Sequence, residues 1–330
     1  MFLSDLKVCL KHGKIFGIYE GLTPALMVSE PKLVRQVLVT DFHRFPNCKF
    51  ELDGGNQIAS NALFGLRYKP WKRVRSVISS AFTKNHIKLM IPLIESKVKY
   101  LLSNFETIAI NGKSVDVRKY FAAFIMDVIV TCAMGGQINS LQNPDNDLVK
   151  SVKQILRRKS VVRSIFSLFF SSIAKRHSNF DHERNAWHNL FKIMESISNE
   201  RKNKGTKRND FLQLMLDKID ESEKRNLQSL NEAIDQIISF LICGFDTTST
   251  ALAFAAYCLA LHPEHQHQLI EEIDEIDDES SFDVDEIDSL KYLDAFVCEV
   301  LRYMPPVPRY DKLEKILLTF KKIQFIRNNL

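Results

Sequence analysis

The feature that most constrains this chain is a single long amphipathic run between Ser229 and Pro263. Ser229 followed by Glu232 forms a capping box, which fixes a helix start. Apolar residues then recur at Ile234, Ile237, Ile238, Leu241, Phe245, Leu252, Ala255, Ala256 and Leu259, and the pattern ends at His262-Pro263. The run predicts a helix of roughly thirty residues, about 45 Å at 1.5 Å per residue. A helix of that length must cross the whole domain. Its centre is locally unsuited to helix. Gly244 costs about 1 kcal/mol relative to Ala. The oxygens of Asp246, Thr247, Thr248, Ser249 and Thr250 compete for backbone partners. Good flanks around a poor centre predict a local widening or kink.

The rest of the chain reads as mainly α. Gly and Pro are sparse, at 11 and 10 of 330 residues, which favours helices over many short strands. Ile15–Tyr19 and Ala25–Val28 predict a small N-terminal β-sheet. Further helices are expected from Pro31, over Tyr68–Ala81, Pro92–Ile108, Tyr120–Met134, His182–Arg201, Phe211–Ile219, Pro263–Ile276 and Asp285–Met304, while Leu148–His177 is basic and apolar by turns. No repeat or Gly/Ser/Pro-rich linker interrupts the chain, so one domain is the simplest reading. A net charge of +5 is too weak to argue for nucleic acid. Six cysteines without a close pair argue against zinc and for free thiols. No run of about 18 uncharged apolar residues exists, so no spanning helix is expected. Arg157–Arg176 mixes basic residues with Val161, Ile165, Phe166, Phe169 and Phe170. It suits a membrane surface, and a core helix with a basic face fits almost as well.

Three groups of residues carry chemistry. Trp71-Lys72-Arg73-Val74-Arg75 opens a basic helix, with Trp71 and Arg75 one turn apart on the same face. Cys243-Gly244-Phe245-Asp246-Thr247-Thr248 lies inside the long helix. Glu299-Val300-Leu301-Arg302 precedes Pro305-Pro306, and its spacing alone fits an exposed ion pair. These motifs, in this order, resemble the cytochrome P450 family, whose patterns are Trp-x-x-x-Arg, Ala/Gly-Gly-x-Asp-Thr-Thr and Glu-x-x-Arg. Phe211-Leu212-Gln213-Leu214-Met215 and Met126-Asp127-Val128-Ile129 are similar to the microsomal branch that oxidises xenobiotics and steroids. The resemblance runs from about Gly13 to about Lys312.

The resemblance implies a P450-type fold and haem-thiolate monooxygenation, in which one atom of O2 enters an apolar small molecule. Haem is the implied cofactor, and an NADPH-dependent flavoprotein reductase the implied electron source. By the same resemblance, Trp71 and Arg75 donate to a haem propionate, and Arg309 or Lys312 adds a second cation. The bare side of Gly244 lets oxygen or substrate approach, Asp246 and Thr247 relay protons to dioxygen, and Glu299 and Arg302 anchor a buried network. The residues themselves leave a plainer reading open: a packing notch at Gly244 with local Thr and Ser back-bonding, and an ordinary charged loop at Arg309 and Lys312.

The family's iron-ligating cysteine lies in a pattern like Phe-x-x-Gly-x-Arg-x-Cys-x-Gly. No cysteine here has that context, so no metal ligand is assigned. The sequence from Leu313, LEKILLTFKKIQFIRNNL, departs from the family and reads as a divergent tail on a partial domain spanning residues 1–312. The expectation is a P450 domain short at both ends, with weak or no haem retention. By resemblance it belongs at the endoplasmic reticulum membrane, although no N-terminal anchor is present in this chain. Two rivals stand beside this reading: a non-catalytic helical protein that binds a ligand or partner, and a fragment without function.

Overall fold

The computed structural model describes residues 2–20, 23–48, 57–112, 114–136, 138–156, 181–205, 207–219, 229–276, 284–309 and 312. These fall into two compact units. One draws on Met1–Lys72 and Pro308–Leu330, the other on Arg73–Arg157 and His182–Val307.

In the first unit, helix α1 (Phe2–His12) precedes an antiparallel hairpin of β1 (Ile15–Glu20) and β2 (Thr23–Val28). Ile15 pairs with Val28, and Glu20 with Thr23. Pro31 occupies the first turn of α2 (Pro31–Arg35), where its missing N–H costs nothing. A π-helical turn, Gln36–Thr40, extends it. The short α3 covers Gln57–Asn61. The division between the units falls inside α4 (Tyr68–Ser79).

The second unit is helical. It contains α5 (Lys84–Ile110), α6 (Val117–Met134), α7 (Asp147–Leu156), α8 (Asp181–Lys204) and α9 (Phe211–Asp217). These are followed by α10 (Leu230–Leu261), α11 (Pro263–Asp274), α12 (Val284–Ser289) and α13 (Lys291–Tyr303). The most extensive helix pairing joins α6 to α10. Both are apolar on most faces, and Met126, Val130, Ile234, Ile237, Ile238 and Leu241 are almost fully buried. The 32-residue α10 is long and apolar enough to cross a membrane, contrary to the expectation from uncharged runs. The burial of Ala233–Ile238 against its neighbours identifies it as the core helix of this unit.

Two element boundaries differ from the sequence reading. Helix α5 starts at Lys84, eight residues before the Pro92 it contains. The stretch expected as one helix over Asp285–Met304 is broken at Leu290, whose backbone is extended (ψ 96°). The basic and apolar stretch Leu148–His177, with the segment Arg157–Arg176, lies outside the described residues beyond Leu156. So does the divergent tail from Leu313.

Candidate functional site

The start of α10 is built as the sequence predicts, with one change. Ser229 Oγ accepts from the Glu232 backbone N–H at 3.1 Å. Glu232's carboxylate receives both nitrogens of the Arg73 guanidinium, one of them at 2.9 Å. Both side chains are largely buried. Arg73 thus ties α4 to α10 with a bidentate, charge-assisted pair. Nothing in the sequence marks this link, because the partners are 159 residues apart.

Midway along, α10 remains an unbroken α-helix, so the expected widened turn does not form. Two of the competing hydroxyls, those of Thr247 and Ser249, are satisfied inside the helix. Thr247 Oγ1 donates to the Cys243 carbonyl at 2.5 Å, and Ser249 Oγ donates to the Phe245 carbonyl at 2.7 Å. A Cβ built on Gly244 would lie 2.9 Å from Ile129 Cδ1 of α6. The bare side of Gly244 therefore receives Ile129, and the close α6–α10 approach depends on it. Asp246 is exposed and accepts from Arg118 Nη2 at 3.2 Å. Arg118 lies in the first turn of α6, another partner without a sequence signal.

On α4, Arg75 is exposed, whereas the turn's next buried residues are Val74, Val77 and Ile78. In the first unit, Trp71 is half-buried and packs on Phe42, ring centroids 5.6 Å apart. Lys312 Nζ sits 4.5 Å from the centre of the same Phe42 ring, in cation–π range. Arg309 is held by Asp5 through two contacts, one from Nε at 2.6 Å. That hydrogen bond keeps the Asp5 carboxyl below the usual carboxylate range. On α13, Glu299 and Arg302 form a bidentate pair with both contacts at 2.6 Å. Their side chains are 61% and 69% exposed, so here the pair stands at the surface.

A shallow cleft with room for about one water molecule lies along α5 and α6, lined by Lys97, Tyr100, Asn104, Tyr120, Phe124 and Asp127. No residue of the three motifs lines it. Asp127 is buried and accepts from the Ser140 backbone N–H at 2.9 Å.

Side chains that could bind a haem propionate or carry protons are present on α4 and α10. Arg75 offers an exposed guanidinium, and Trp71 an indole one turn away, for a propionate. Asp246 and Thr247 offer an acid and an alcohol on adjacent residues of α10. Burial pushes the Cys132 thiol up to about 11, which disfavours a thiolate there.

The model of the cytochrome P450 family matches residues 3–326. The chain is 31% identical to cytochrome P450 3A6 of Oryctolagus cuniculus over 320 residues, which is 94% of this chain and 64% of that protein. It is 30% identical to cytochrome P450 3A13 of Mus musculus over 326 residues, 94% of this chain and 63% of that protein. It is 31% identical to cytochrome P450 3A7 of Homo sapiens over 320 residues, with the same coverage of 94% and 63%. The chain thus spans a little under two thirds of the length of these relatives. With the family model matching along nearly all of it, this chain belongs to the cytochrome P450 family.

Proposed function

We propose that the protein serves haem-thiolate monooxygenation of an apolar small molecule, with electrons drawn from NADPH through a flavoprotein reductase at the endoplasmic reticulum membrane. The observation that carries this is the placement of the motifs. Trp71 and Arg75 share one helix, Asp246 and Thr247 sit mid-way along the core helix, and Glu299-Val300-Leu301-Arg302 closes a third. Haem, when bound, would supply the iron centre at which O2 is reduced. Arg75 and Trp71 would hold its propionate by an ionic and a neutral hydrogen bond, with Arg309 or Lys312 adding positive charge. Asp246 would bring protons from solvent, since its carboxylate is exposed and only loosely tied to Arg118. Thr247 keeps its hydroxyl proton on the Cys243 carbonyl, which leaves oxygen lone pairs free to accept. Glu299 and Arg302 would order the end of α13.

A haem titration followed by the Soret band tests this. Hydrogen bonds to charged groups contribute about 1.5–3 kcal/mol, so Arg75→Ala should weaken haem binding by at least about tenfold. Trp71→Phe should weaken it less. Equal haem binding by the wild type and the double variant would remove both residues from the site. The reduced carbon monoxide complex reads the axial ligand. Because none of the six cysteines lies in the family's Phe-x-x-Gly-x-Arg-x-Cys-x-Gly context, no thiolate-type Soret band is expected from these 330 residues. Such a band would show that one of the six cysteines serves.

A further inference from the structure

The turn between α10 and α11 carries a cluster that the oxygenase reading does not use. His262 caps the C-terminus of α10, its N–H bonded to the Cys258 carbonyl at 3.0 Å and the Leu259 carbonyl at 3.3 Å. Pro263 starts α11, and Glu264 and His265 follow in its first turn. One donor atom from each of His262, Glu264 and His265 lies within 4.8 Å of the others, and all three residues are exposed. His262 Nδ1 is 3.2 Å from Glu264 Oε1.

The surroundings orient this set. His265 Nδ1 is 2.7 Å from the Tyr292 hydroxyl of α13. Tyr292 is itself fixed, because Glu272 of α11 accepts from the backbone N–H groups of Tyr292 at 2.8 Å and Leu293 at 2.9 Å. The turn is therefore anchored to one further helix, α13. A histidine whose second ring nitrogen is held by an outer partner is the usual form of a metal-ligating histidine. Two imidazoles and a carboxylate suit a borderline cation, and a tetrahedral Zn²⁺ needs donor atoms about 3.3 Å apart. Small rotations of exposed side chains cover the difference. By helix rise, His262 is about 27 Å from Gly244 along α10, so this cluster is separate from the motif centre.

We propose that His262, Glu264 and His265 form a divalent transition-metal site, of Zn²⁺ type, that clips the α10–α11 turn, with Tyr292 as a positioning residue for His265. The open positions would be filled by water. No step of oxygenation passes through it.

Calorimetric titration of the whole chain with Zn²⁺ alone, beside thermal melts with and without Zn²⁺, tests the proposal. The wild type should bind one equivalent that His262→Ala and His265→Ala each lose, and Zn²⁺ should raise the melting temperature of the wild type but of neither variant. Glu264→Gln should weaken binding by about tenfold or more. Tyr292→Phe should keep the stoichiometry and the metal-free melting temperature while weakening binding about tenfold, as loss of an outer-shell partner does. His267→Ala, on the same helix, should bind as the wild type does. Identical Zn²⁺ isotherms for the wild type, His262→Ala and His265→Ala would overturn the site. Unchanged affinity in Tyr292→Phe would overturn the positioning role.

Discussion

Alanine is favoured over glycine in a helix interior by about 1 kcal/mol, so Gly244 needs a reason to sit mid-way along α10. The structure supplies one in Ile129, whose Cδ1 lies 2.9 Å from where a Cβ would stand. Gly244→Ala should therefore be near neutral or mildly destabilising, the helix gain offset by crowding. In an Ile129→Val background the crowding methyl is gone. There the same substitution should stabilise by about 0.5–1 kcal/mol in urea unfolding. Equal effects in the two backgrounds would show that Ile129 is not what Gly244 makes room for. The sequence showed that Gly244 was exceptional but not why. A glycine that admits a ligand and one that admits a neighbouring side chain look alike in one dimension. The same limit hid Arg118 beside Asp246 and Asp5 beside Arg309, pairs separated by 128 and 304 residues.

At the scale of elements, the C-terminus of α6 shows how much one junction can carry. Gly135 ends the helix in the left-handed region (φ 59°), and its N–H and that of Gly136 return to the Thr131 and Val130 carbonyls. Arg201 of α8 donates to the Met134 carbonyl and, at 2.7 and 2.6 Å, to both oxygens of Asp210. Asp210 also caps α9 by accepting from the Gln213 N–H at 2.9 Å. Arg201 and Asp210 are 6% and 1% exposed, so the pair is desolvated and each charge depends on the other. Asp210→Ala should cost about 3–5 kcal/mol, because it strands a buried guanidinium. Arg201→Met together with Asp210→Ala should recover part of that loss. If Asp210→Ala melts like the wild type, the pair is not the clasp of this junction. Elements were legible where periodicity and caps agreed, as at Ser229 and Pro263. They are hidden where a proline lies inside a helix instead of at its start, as at Pro92, or where an apolar stripe runs through a break, as at Leu290. Tertiary packing stabilises a helix through a local fault such as Pro92, and sequence periodicity does not register a single extended residue such as Leu290.

For the molecule as a whole, the carboxylates divide into two sets that pull stability in opposite directions with pH. Asp285 is held down to about 2 by Lys84 and Lys88, and Asp5 is lowered by Arg309. Their contributions are present above the unfolded carboxylate value and are lost only as the solution becomes strongly acidic. Both pairs reach solvent, so screening keeps the contributions small. Asp127 is opposite. Burial pushes its carboxyl above the ordinary 3.8, against the pull of the Ser140 hydrogen bonds and the Lys97 charge. Between 3.8 and that raised value the folded chain holds a proton the unfolded chain has released. Stability must therefore fall as pH rises through this window, then level off once both states are ionised. Asparagine at 127 keeps an acceptor for the Ser140 N–H and never ionises. Asp127→Asn should match the wild type in stability at pH about 4. It should become progressively more stable than the wild type toward neutrality, as read from urea unfolding across that range. A variant less stable than the wild type at every pH would mean that the buried carboxylate is held by charge pairing, with Lys97 outweighing the cost of burial.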